Sequence, residues 1–272
     1  MRTDPDTTTI AAIAVLAFII SALTHEVIGH GLVYWLAGGT SCILTTTHLL
    51  PADQLIGLRN GIFQAAGPMA NLALASLAWL ILRTMHSASQ KRRFLFLLLL
   101  AFNLFWAFGY LIYSGAAGEG DWAFLIRIIS QSEVLSRGIL VAVGALFYFL
   151  SIKLTAVELR WIFPGGEFLR PVGVRRIMWI TLIAAGITSC AGAILDPRGP
   201  TEILTAGALT GFWAMSGLLL VPRMMMIPIA KRGLTELGIE RNWAFILSSL
   251  LAVAFYIGVL GRGIPISLPG LS

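Results

Sequence analysis

His25, Glu26 and His30 fall within six residues in the run His25-Glu26-Val27-Ile28-Gly29-His30-Gly31, at the far end of an apolar segment that begins at Ile10. Two imidazoles and a carboxylate are the raw material of a metal-dependent hydrolase: the rings hold the ion and the carboxylate takes a proton from water. An ionisable side chain at the centre of a membrane helix costs at least about 2.5 kcal/mol on insertion scales, so such a cluster marks function rather than packing. The usual helical zinc motif spaces its histidines four apart, with Glu directly after the first. Here they are five apart, and at about 100° per residue an ideal helix separates them by roughly 140°. A π-bulge between them absorbs the extra residue and returns both rings to one face, and Gly29 eases that distortion. The competing geometry pairs Glu26 with His30, four apart, and turns His25 elsewhere.

A tetrahedral catalytic site needs a third protein ligand, with water in the fourth place. The remaining histidines are His48 and His86. His86 shares a basic loop with Lys91, Arg92 and Arg93, on the wrong side of the membrane for the His/Glu run. His48 reads as a solvated residue of a Thr-rich loop. Asp121 is the preferred ligand: it follows Gly118-Glu119-Gly120 at the end of the third apolar span, which runs parallel to the first. Glu119 is the second choice, and a helix N-cap ahead of Trp122 is the alternative role for Asp121.

The elements that must position these groups are membrane helices. The 272-residue chain is 57% hydrophobic and 12% charged, against about 25% charged in soluble domains. Its apolar stretches are continuous, not alternating, which predicts an all-α polytopic bundle in place of a barrel. Seven spans are expected: Ile10 to Leu36, Gly61 to Leu82, Phe94 to Tyr113, Ile139 to Leu154, Ile177 to Leu195, Ile203 to Val221 and Trp243 to Leu260, with a short apolar piece ending near Ile129. Residues 1–136 would form a three-span catalytic core and 137–272 a four-span C-terminal bundle in the same membrane domain. The first apolar run contains the His/Glu cluster, so it is not read as a cleaved signal peptide. Cys42 and Cys190 form neither a disulfide framework nor a metal knuckle.

The net charge of +6 records topology, not nucleic-acid binding. With seven spans, fourteen of the nineteen Lys and Arg residues fall on the side of the Arg83–Arg93 loop. That bias predicts a cytoplasmic N-terminus in a multi-pass cell-membrane protein.

The pattern resembles the site-2-protease-like family of intramembrane zinc proteases. The first span carries the His/Glu motif followed by Gly31 and Gly38-Gly39. The second carries Ala66-Gly67-Pro68-Met69-Ala70-Asn71, similar to that family's Gly-Pro-x-x-Asn, and the third leads to an Asp beside Gly. The resemblance covers roughly residues 20 to 125. It implies zinc held by His25, His30 and Asp121, Glu26 as general base, and Asn71 positioning substrate or polarising its carbonyl. The implied activity is hydrolysis of peptide bonds in membrane-embedded or membrane-proximal substrates. Two other readings stay open. A ceramidase-like membrane zinc hydrolase shares the span count but draws its metal-binding histidines from late spans, and this chain has none after His86. A non-catalytic metal-binding membrane protein would keep His25 and His30 without needing Glu26 as a base.

The charge bias generates the first prediction. In a background lacking Cys42 and Cys190, a membrane-impermeant thiol reagent applied to intact cells should label cysteine placed at Ser41 and spare cysteine placed at Ser89. The reverse pattern would invert the orientation.

Overall fold

Backbone N–H and C=O groups find no partners in hydrocarbon, so an apolar chain of this kind satisfies them within its own helices. The computed structural model describes residues 5–53, 55–129, 132–162, 171–225 and 239–267, and among these it is mostly helical. Eight helices form. α1 (Thr7–Leu36), α2 (Gly57–Thr84), α3 (Gln90–Ala117), α5 (Glu133–Ile162), α6 (Pro171–Ala193), α7 (Ile203–Met224) and α8 (Trp243–Gly258) are long and apolar enough to cross a membrane. The short α4 (Asp121–Ile129) is the eighth. This is a multi-pass membrane protein, and each expected span has its helix. Arg2, Arg170, Lys231 and Arg232, four of the basic residues behind the predicted orientation, lie outside the described residues.

α1, α3 and α6 are the most buried helices of the bundle, with 56%, 61% and 56% of their most apolar windows buried, against 28% in α5 and α8. α1 packs against α3, α6 and α8, and α2 packs against both α1 and α3. Its start is fixed by Asp6, whose carboxylate accepts the Thr9 N–H at 2.8 Å. Ile10, Ile13, Ala14, Ala17 and Phe18 then form its fully buried face. Between α1 and α3, Asn103 Nδ2 donates to Ser21 Oγ at 2.8 Å, a polar tie of the kind that holds membrane helices where lipid is as apolar as leucine. At the opposite end of the bundle from the His/Glu run, the buried Glu158 of α5 accepts from Trp79 Nε1 at 2.9 Å and pairs with Arg83 at 3.1 Å.

One small sheet interrupts the helices. β1 (Ser41–Leu44) and β2 (Leu49–Pro51) form a hairpin after α1, and β3 (Ile264–Ser267) returns from the C-terminal end to pair with β1. All pairing is antiparallel in the order β2-β1-β3, with Ile43 opposite Leu50 on one side and Pro265 on the other. The hairpin turn, Thr45-Thr46-Thr47-His48, is tied to the late spans. Thr46 Oγ1 donates to Gly192 O, and Tyr256 Oη donates to Thr46 O, both at 2.9 Å.

Two glycines of α5 separate close packing from open space. A Cβ at Gly144 would lie 2.9 Å from the Ile112 backbone nitrogen of α3, whereas one at Gly138 would meet nothing within 4 Å. Gly138→Ala should therefore raise stability by about 0.5–1 kcal/mol through reduced backbone freedom. Gly144→Ala should lower it by about 1–3 kcal/mol through overpacking. Thermal denaturation of the two purified variants in one detergent checks the opposite signs.

Candidate metal centre

The helical ladder of α1 changes pitch where the sequence requires it. Thr7–Leu23 and Leu32–Leu36 are α-helical, but Thr24–Gly31 is π-helical. A π-turn bonds each residue to the one five positions on, so His25 and His30 come to the same face. Their Nε2 atoms are 3.2 Å apart. The wide turn is pressed against α2, where a Cβ at Gly29 would stand 2.5 Å from Gly67 Cα and 2.8 Å from Ala66 O. Only glycine permits that approach.

Each ring is oriented through its other nitrogen. His30 Nδ1 lies 2.8 Å from the Phe63 carbonyl and His25 Nδ1 lies 2.9 Å from Asn71 Oδ1. A carbonyl only accepts, so each Nδ1 carries a proton and Nε2 is the nitrogen that each ring turns inward. Such outer hydrogen bonds fix both tautomer and ring direction in metal sites. Trp106 of α3 stacks on His25 with centroids 5.1 Å apart, and the Phe63 ring lies 5.0 Å from that of His30. His25, Glu26 and His30 are only 2%, 5% and 6% exposed. Their possible donor atoms lie within 4.8 Å of one another, and this buried group could hold a metal ion.

Asp121 arrives from across the bundle. α3 ends at Gly118 and the chain turns through Gly118 and Gly120, at φ 74° and 81°, before α4 begins. Both conformations are left-handed and favour glycine. Arg137 secures the turn by donating to the carbonyls of Gly115 and Ala116 at 2.9 and 2.6 Å. Asp121 Oδ2 then lies 3.3 Å from His25 Nε2 and 3.7 Å from His30 Nε2, buried and without a hydrogen bond. Donors about 2.0–2.2 Å from a tetrahedral centre stand about 3.3–3.6 Å apart. The triangle of two Nε2 atoms and Oδ2 has edges of 3.2, 3.3 and 3.7 Å. Gly67 marks the same place from the α2 side, since its Cβ would stand 2.5 Å from both Nε2 atoms. The residues present therefore fit a small cation with nitrogen and carboxylate ligands. Glu26 Oε2, also buried, has no hydrogen bond and is left facing the group.

The other sequence-derived residues have definite places. Asn71 is fully buried against His25 and does not line the cavity beside the group. Glu119 is exposed and accepts from Tyr113 Oη at 3.2 Å. His86 lies in the α2–α3 connection. His48 departs from the reading as a solvated loop residue. It lines both the open cavity of about 460 Å³ beside His25, Glu26, His30 and Asp121 and a smaller chamber of about 30 Å³ behind Glu26. The smaller space is enough for a water or two. Burial, followed by the neighbouring Arg198 charge, pushes the His48 imidazole down to about 3.

Sequence reasoning missed the network that holds this loop. Arg198 Nη2 contacts His48 Nδ1 and lies 3.3 Å from Thr47 Oγ1. Arg198 itself is paired with Asp196 at 3.2 Å and Glu202 at 2.9 Å. Thr47 Oγ1 donates to Asp196 Oδ2 at 2.5 Å. Burial raises the Asp196 carboxyl, but the Thr47 hydroxyl and the Arg198 N–H groups outweigh it and leave it below the ordinary range. About 150 residues separate His48 from Arg198, so no local spacing announces the contact. Tyr110, whose hydroxyl makes no hydrogen bond among the described residues, also lines both cavities. No family model matches this chain, and neither do any curated proteins or solved structures.

The Gly67 contact yields a direct test. A methyl group there occupies the space between the two imidazoles, so Gly67→Ala should abolish stoichiometric metal while the protein still purifies as a folded species. Metal content by plasma emission spectrometry, with circular dichroism as the folding control, measures this.

Proposed function

We propose that this protein is an intramembrane zinc metalloprotease that hydrolyses peptide bonds of membrane-embedded or membrane-proximal substrates. The carrying observation is the buried triangle of His25 Nε2, His30 Nε2 and Asp121 Oδ2, with Glu26 Oε2 buried beside it and without a hydrogen bond. Three protein ligands with one position left open is the arrangement of catalytic zinc. The resemblance of the His/Glu run, the Gly67–Asn71 motif and Asp121 to site-2-protease-like enzymes points the same way.

His25, His30 and Asp121 would hold the ion, with Asn71 and the Phe63 carbonyl orienting the two rings. When bound, zinc supplies a Lewis acid that lowers the pKa of water toward about 7 and polarises a carbonyl. Glu26 accepts a proton from the attacking water as its oxygen bonds to the peptide carbonyl carbon. It then returns that proton to the amide nitrogen as the C–N bond breaks, leaving a carboxylic acid and an amine. A substrate helix must unwind before its carbonyl is accessible. β2 is an edge strand of the sheet, and Leu49, Leu50 and Pro51 line the cavity, so an unwound segment has a strand against which to pair. In this reading residues 1–136 carry the chemistry. Residues 137–272 hold the hairpin over it, and the charge bias places the site toward the outer face of the cell membrane.

A second reading has its own observation. Glu26 shares the 4.8 Å group with both imidazoles, and as a third ligand it would make the centre a metal-holding site without a base. Glu26→Gln separates the two. As a base, its replacement should leave zinc near one equivalent and reduce cleavage of a helical transmembrane peptide by at least about a hundredfold. Loss of zinc along with activity would make Glu26 a ligand, and an undiminished rate would refute the protease mechanism.

A further inference from the structure

The loop that roofs the cavity carries a donor with one defined tautomer. Arg198 has only N–H groups to offer and no acceptor, so its contact with His48 Nδ1 makes that nitrogen the acceptor. The proton of the neutral ring is therefore on Nε2. Arg198 is not free to turn away, because Asp196 and Glu202 hold its guanidinium and its own backbone N–H donates to Asp196 Oδ1 at 2.9 Å. The histidine is equally fixed from the chain side, where its backbone N–H donates to Thr45 Oγ1 at 3.0 Å. The ring that anchors the hairpin also lines the space shared by His25, Glu26 and His30. Of the other polar side chains that line that space, Asp53 accepts from Tyr34 and Thr40, Thr47 donates to Asp196, and the Tyr110 hydroxyl has no hydrogen-bond partner among the described residues; Asn60 and Gln64 line it as well. Donors pre-set by the protein before charge develops are the ones that stabilise a transition state most.

We infer that His48 is a further catalytic residue whose Nε2–H donates to the carbonyl oxygen of the bound peptide as water adds to its carbon, and that Arg198 is the residue positioning it. This rests on the metalloprotease reading. The peptide carbonyl oxygen gains negative charge when the water oxygen bonds to carbon and the proton passes to Glu26. His48 shares its proton with that oxygen without surrendering it, so the proton balance of hydrolysis is unchanged. Arg198 acts through His48, fixing its tautomer and its place above the cavity.

The test uses the full-length protein in nanodiscs, loaded with zinc, and a hydrophobic peptide hydroxamate as probe. His48→Phe keeps a flat aromatic ring and removes the donor, and His48→Gln restores an N–H. The hydroxamate should bind His48→Phe at least about tenfold more weakly than wild type, the loss of one well-made hydrogen bond. Binding to His48→Gln should recover to within about threefold, and zinc should stay near one equivalent in both. With a transmembrane peptide substrate, His48→Phe should lower kcat about a hundredfold with little change in KM. Arg198→Met should lower it in the wild-type background and add no further loss in the His48→Phe background, as expected of two residues acting as one unit.

Equal hydroxamate binding and turnover in His48→Phe would overturn the proposal. So would loss of zinc in both His48 variants, the mark of a structural anchor, or an unaffected His48→Phe beside a disabled Tyr110→Phe. Wild-type protein that retains no zinc and binds no hydroxamate would instead sink the metalloprotease reading, and the role of His48 with it.

Discussion

Two imidazole Nε2 atoms stand 3.2 Å apart beside a buried carboxylate oxygen, and the surrounding bundle is built to keep them confronted. The π-turn brings the rings to one face, the Phe63 carbonyl and Asn71 prevent either ring from turning its N–H inward, and Gly67 leaves the intervening space open. Each device has a cost of its own. A π-turn replaces better-aligned hydrogen bonds, glycines at helix contacts give up side-chain packing, and burying a carboxylate is expensive in hydrocarbon. A cation held by two nitrogens and Asp121 Oδ2 would use both inward nitrogens and neutralise the carboxylate together. That common remedy binds the π-turn, Gly67 and the glycine turn before α4 into one argument.

Much of this was legible in the chain. The seven spans follow from continuous apolar stretches whose lengths match a bilayer, and each has its helix. The π-turn was legible for a sharper reason: histidines five apart beside Glu26 cannot share a face of an ideal helix, and Gly29 offered the means. Asp121 emerged by parity, because parallel first and third spans place their ends at one side. The outer sphere was less legible. Asn71 could be singled out from its motif, but its bond to His25 depends on how α2 rotates against α1. The Phe63 carbonyl has no side-chain signature at all.

His48 shows a different limit. Its neighbours in sequence are threonines, and a Thr-rich turn between two short strands reads as surface. Burial comes from elements far along the chain: Gly192 at the end of α6, Arg198 in the following connection, and Tyr256 in α8. Pairings between residues separated by some 150 positions leave no periodicity. The same holds for β3, whose four residues gain their place only by pairing with β1.

The division of labour between the two halves follows from these long-range ties. The first three spans and α4 contain every atom of the candidate metal centre, yet they do not by themselves determine the height of the hairpin above it. A two-stranded hairpin is marginal alone, and this one is short. β3 supplies a third strand, Thr46 is held from α6 and α8, and Thr47 with His48 is held by the Asp196–Arg198 pair. A hydrolytic site of the kind proposed would have to admit a peptide and water on one side while keeping lipid from the candidate metal group. A roof hung from the later spans meets that requirement without placing any further charged group inside the first three.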